Sequence, residues 1–92
     1  MYLKKIDGPR AVTLKDGRIL TRADLPSAKT RRWVASRKAI VVLGVTSGLI
    51  SQSEALETWG LSAEELSEWI HAMQFHGEGA LKSTRVQEYR QP

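Results

Sequence analysis

Ser51-Gln52-Ser53-Glu54-Ala55-Leu56-Glu57-Thr58-Trp59-Gly60-Leu61-Ser62-Ala63-Glu64-Glu65-Leu66 is the stretch that decides the fold. Serine followed three residues later by glutamate occurs twice, at Ser51/Glu54 and at Ser62/Glu65. Each pair is a capping box, in which the hydroxyl takes an orphan N–H of the first helical turn and the carboxylate reaches back. Gly60 lies between the two boxes and supplies a chain reversal. The spacing predicts a helix over residues 52–59, with Ala55, Leu56 and Trp59 on one face. Leu61 points back inward. A second helix follows over residues 63–76, with Leu66, Trp69, Ile70 and Met73 as its apolar stripe and Gly77 as its stop. Two helices joined by a glycine turn describe a helix-turn-helix.

Upstream, the pattern predicts another helix over residues 31–47, capped by Thr30 and stopped by Gly48. Its buried stripe is read as Val34, Val41 and Val45, with Trp33 and Ile40 beside them. Gly44 inside it costs about 1 kcal/mol against alanine, which close approach of another element would explain. Before this helix, residues 12–15 and 18–21 are two strand-like runs flanking Asp16-Gly17, a hairpin signal with Lys15 opposite Arg18. A lone hairpin is marginal in water, so this one leans on the helices or stays mobile. Asp24-Leu25-Pro26-Ser27 reads as a linker. The expected fold is mainly α: a tri-helical helix-turn-helix bundle with a short N-terminal β-hairpin. Residues 1–29 form the arm, residues 30–77 the tri-helical domain and residues 78–92 a polar, basic tail. In the tail, Leu81, Val86 and Tyr89 are placed to pack on the bundle.

Charge is segregated along the chain. Residues 1–38 hold eleven Lys and Arg against three acids, residues 39–79 hold none against six, and residues 80–92 hold three against one. The sequence pI is about 9.8, so anionic partners are expected. There is no cysteine, which excludes a disulfide scaffold and a thiolate zinc site. The longest apolar run, residues 39–45, is too short to span a bilayer. The N-terminus lacks the apolar stretch of a secretory signal, so a cytoplasmic protein without membrane association is expected.

No phosphate loop, nucleophile elbow or Cys/His cluster occurs, and a non-enzymatic role without a cofactor or metal is the expectation. His71 and His76 stand roughly 140° apart on a helix, a poor metal pair. Trp33, Trp59 and Trp69 fall on the apolar faces of three helices and read as core. Two basic clusters remain as candidate contact residues. One is Arg31, Arg32, Arg37 and Lys38, with Lys29 before them. The other is Lys82, Ser83, Thr84 and Arg85. If the third helix packs across the first, the two form one patch. The outward positions of the third helix read Glu64, Glu65, Ser67, Glu68, His71 and Gln74, of which only Gln74 is a usual base reader.

Trp59-Gly60-Leu61-Ser62, Trp69 and residues 76–81 resemble the helix-turn-helix of insertion-element transposases, within the Trp-repressor-like group. A wider resemblance rests on Leu25-Pro26, Thr30-Arg31-Arg32-Trp33-Val34, Arg37-Lys38-Ala39, Gly48-Leu49-Ile50-Ser51, Glu54-Ala55, His76-Gly77 and residues 83–90. These are similar to the SciP family, small inhibitors of the cell-cycle response regulator CtrA in alphaproteobacteria. The resemblance implies a repressor of CtrA-activated transcription. Its partner would be the DNA-binding domain of a CtrA-like response regulator, promoter duplex DNA, or both. The family's exposed basic positions map onto Arg31, Arg32, Arg37, Lys38 and the Ser83-Thr84-Arg85 segment. The chain departs from the family at Phe75, where a basic residue precedes the His-Gly pair. The alternative is a conventional sequence-specific reader with the third helix in the major groove.

Overall fold

The computed structural model describes residues 9–83. Two capped helices occupy the segments that the serine–glutamate pairs predict. We call them α2, Gln52–Trp59, and α3, Ala63–His76, after α1, Ala35–Thr46. At α2, the Ser51 hydroxyl accepts from the Glu54 N–H at 3.0 Å. At α3 the box is reciprocal: Ser62 Oγ accepts from Glu65 N at 3.0 Å, and Ser62 N donates to Glu65 Oε1 at 2.8 Å. Gly60 turns the chain between α2 and α3 at φ 65°, a left-handed conformation that a side chain would strain.

Helix α1 departs from the expectation. It begins at Ala35, four residues late, and Val34 rather than Thr30 sits at the N-cap, extended and without a side-chain cap. Trp33 explains the delay. It is buried, edge-on to Trp59 at 6.2 Å between ring centroids and tilted against Trp69 at 5.2 Å. Residues 31–34 form no regular element, with Val34 extended, and in this course the indole reaches the core between the other two tryptophans. The buried face also shifts. Lys38, Ala39, Val41, Val42 and Gly44 are buried, whereas Val34 is exposed at the rim and Ile40 and Val45 are only half-buried. Val41 and Val42 stand three and four residues beyond Lys38, so all three share one helical face and go inward together.

The N-terminal strands are β1, Ala11–Thr13, and β2, Ile19–Thr21, paired antiparallel with Val12 opposite Leu20. Leu14 N donates to Arg18 O at 2.7 Å and Gly17 N to Leu14 O at 2.9 Å, so the loop holds the three residues 15–17. Gly17, at φ 90°, takes the left-handed position this loop requires. Lys15 therefore does not face Arg18, as a two-residue turn would have it. Arg18 pairs instead with Asp16, its backbone N–H and Nε donating at 3.0 and 2.8 Å. These bonds, the backbone one first, hold the Asp16 carboxyl below its ordinary range. The hairpin is docked: Leu20 lies in the core, with Val12 and Leu14 packed against it.

Residues 24–27, expected as a linker, are fastened down. A 3-10 turn, Arg22–Asp24, leads into them. Leu25 approaches α1 so closely that a Cβ on Gly44 would stand 3.2 Å from Leu25 Cδ2. Trp59 Nε1 donates to the carbonyls of Pro26 and Ser27 at 3.2 and 3.1 Å. Arg22 then ties the hairpin exit to α2, with Nη1 and Nη2 donating to Glu54 at 2.6 and 3.1 Å. Nη2 also donates to the carbonyl of Leu49 at 3.3 Å. Arg22→Ala is expected to lower stability by about 1–2 kcal/mol in urea unfolding, because a half-buried bidentate pair is screened only in part. Glu54→Gln should lose less.

The core joins all three helices, the hairpin and a 3-10 segment, Glu78–Ser83, through Leu20, Val41, Trp59, Trp69 and Leu81, with Trp33 among them. Leu81 packs the start of the tail on the bundle, fully buried. Val86 and Tyr89 lie outside the described residues. Among the described residues, no helix is long and apolar enough to cross a membrane.

Candidate functional site

The basic cluster before and within α1 divides in two. Arg31 and Arg32 are exposed on the non-helical segment before α1, and Arg37 is exposed in the first turn of α1. Arg37 Nη1 donates to the carbonyl of Arg32 at 2.9 Å, which holds the helix start against the segment before it. Lys38 does not belong to this exposed set. It is 2% exposed, its Nζ donates to the carbonyl of Leu81 at 3.0 Å, and it sits 5.4 Å from the centre of the Trp69 ring. Burial pushes its amine below the ordinary lysine value, an effect that the charge of Glu68 partly opposes. An ammonium spent on a carbonyl and an indole face inside the protein is a structural tie, not a contact for a partner.

That tie does what the sequence left conditional. The segment Glu78–Ser83 packs against both α1 and α3. Arg37 and Lys82, each the chain neighbour of one partner in the Lys38–Leu81 bond, are both exposed beside it. The start of α1 and the start of the tail are therefore adjacent. Of the remaining candidates, Ser83 closes the 3-10 segment, and Thr84 and Arg85 lie outside the described residues. Lys29 is exposed, its backbone N–H donating to Ser27 Oγ at 3.1 Å.

The other charged surface lies on α3. Glu64, Ser67, Glu68 and His71 are exposed and, with Gln52 of α2, line an open groove of about 650 Å³. Neither α2 nor α3 carries a lysine or an arginine. Carboxylates in the first turn of α3 suit the positive end of the helix dipole, and they repel phosphates. Among the described residues, no group of three or more His, Asp or Glu could hold a metal ion.

Sequence reasoning missed two surface features. Phe75 is 68% exposed, although its helix spacing gives no sign of a partner. A second groove of about 570 Å³ runs between the hairpin and α1, with Leu14, Val42, Leu43 and Met73 on its walls. It exists only because the hairpin docks, which no local pattern announces.

The fold and surface define a small helical domain with a basic entry to its first helix and an acidic outer face on its last. The chain belongs to the family described as Protein of unknown function (DUF1153), whose model matches residues 4–90. Two solution NMR structures are similar to it. One is the protein coded by gene RHOS4_12090 of Rhodobacter sphaeroides, 60% identical, covering 100% of this chain and 97% of its own, with a TM-score of 0.73. The other is Northeast Structural Genomics Consortium target SiR5, 59% identical, covering 98% of this chain and 89% of its own, with a TM-score of 0.58. None of the curated proteins matches the chain.

Proposed function

We propose that this protein is a cytoplasmic, non-enzymatic transcriptional regulator of the SciP type, which acts by holding the DNA-binding domain of a CtrA-like response regulator. The observation that carries this reading is the division of charge between two surfaces. Arg31, Arg32, Arg37 and Lys82 cluster where α1 and the tail start, and Glu64 and Glu68 stand exposed on α3. A helix with carboxylates at its outward positions is a poor ligand for a phosphate backbone and a good one for the cationic face of a DNA-binding protein. The arginine forks suit carboxylates on the same partner or phosphates on adjacent promoter DNA. Occlusion is the mechanism: the held regulator cannot recruit polymerase productively. The sequence resemblance to SciP supports the same reading.

Parallel NMR titrations of the labelled protein test it, one with such a DNA-binding domain and one with duplex DNA, each at two salt concentrations. Shifts are expected with the domain around Arg31, Arg37 and Lys82 and along Glu64 to Glu68. Replacing Arg31, Arg32 and Arg37 together by alanine should weaken binding at least about tenfold, roughly 1.4 kcal/mol. No shift with the domain would sink the reading. Binding to duplex alone, with a log–log salt slope of about −5, would return the protein to the class of direct DNA binders.

A further inference from the structure

The outward face of α3 ends in a cluster of rings. Phe75 is 68% exposed and belongs neither to the core nor to the apolar residues packed against it. His71, one turn earlier, lies against it with ring centroids 4.6 Å apart and planes inclined at 36°. The His76 ring stands 6.3 Å from that of His71. His71 also lines the groove that holds Glu64 and Glu68. Positions 64, 68, 71 and 75 recur at helical spacing, so the carboxylates and the aromatic plate form one strip.

We propose that this strip docks an arginine of a basic protein segment, its guanidinium stacked on the Phe75–His71 plate and its cationic neighbours facing Glu64 and Glu68. The planar, weakly hydrated guanidinium stacks on aromatic faces where an ammonium stays hydrated. A nucleobase would stack as well, but its phosphates would then meet the carboxylates. The charge around the plate therefore selects a cationic protein segment. Aromatic and arginine side chains are also over-represented among the residues that anchor protein interfaces. This inference rests on the protein-partner reading above and adds the chemistry that the partner must present.

Hexa-arginine and hexalysine peptides, equal in charge, titrated into the isotope-labelled full chain provide the test. The arginine peptide should move the ring signals of His71 and Phe75 and the amides of Glu64 and Glu68. It should bind about threefold to fivefold tighter than the lysine peptide, the ratio expected of an exposed cation–π contact. Phe75→Ala should abolish this preference and leave the thermal unfolding midpoint unchanged, since the side chain is exposed. Glu64→Gln with Glu68→Gln should weaken both peptides alike. Equal binding of the two peptides with unmoved rings, or a preference that survives Phe75→Ala, overturns the proposal. So does a single-stranded oligonucleotide that moves the rings where the arginine peptide does not. If the arginine peptide docks and the regulator's DNA-binding domain shifts no signal anywhere on the protein, the regulator reading fails and this surface stands. If the domain binds at Arg31 and Arg37 while the peptides are not distinguished, the regulator reading stands and this surface fails.

Discussion

Trp69→Ala is expected to remove about 3–5 kcal/mol of stability, the range for truncating a buried aromatic that leaves a cavity. Small domains hold about 5–15 kcal/mol in all, so the loss takes a large fraction of the total and should lower the urea midpoint sharply. Trp69 is fully buried, packs on Trp33, and lies under the Lys38 ammonium. Its loss therefore loosens α1, α3 and the segment before α1 together. Urea unfolding followed by circular dichroism measures the effect without relying on the deleted fluorophore. Trp69→Phe is the informative companion. The Trp69 Nε1 atom is buried without a hydrogen-bond partner among the described residues, so phenylalanine removes an unpaired donor while keeping most of the ring. Its loss should stay below about 1.5 kcal/mol. Equal losses for the two variants would show that ring packing is not what Trp69 contributes.

Lys38→Ala should cost about 2–3 kcal/mol, through the lost packing of the stem and the lost bond to the carbonyl of Leu81. Lys38→Met keeps the stem and should cost less. Both should speed amide hydrogen exchange in Glu78–Ser83 more than in α2, because the Nζ bond to Leu81 fastens that segment to α1. The pH dependence has a definite sign. Burial lowers the folded amine below its ordinary value, so between the folded and the ordinary lysine values the unfolded chain holds more protons. Stability should therefore rise with pH across that alkaline window, relative to Lys38→Met, as the cost of a buried ammonium is relieved. A flat difference between wild type and Lys38→Met would show that the amine is solvated in the folded state.

The errors of the sequence reading cluster where a side chain's fate depends on distant residues. Ser51, Ser62 and Gly60 act over three or four residues, and the ends of α2 and α3 followed from them. The start of α1 did not, because the chain before Val34 takes a non-helical course in which Trp33 meets Trp59 and Trp69. Lys38 was placed among the exposed cations by its neighbours Arg31, Arg32 and Arg37. Helical spacing from Val41 and Val42 carried the contrary signal. Glu54 was assigned to a capping box, while its carboxylate serves Arg22, thirty-two residues away.

By itself, the sequence determined the three helices, the hairpin, the glycine turns and the segregation of charge, since each rests on spacing, capping or composition within one stretch of chain. Only the tertiary structure decided which cations stay exposed at the surface, that the hairpin docks, and that α1 and the tail share one surface. Those outcomes depend on burial, and burial is set by contacts between residues far apart in the chain.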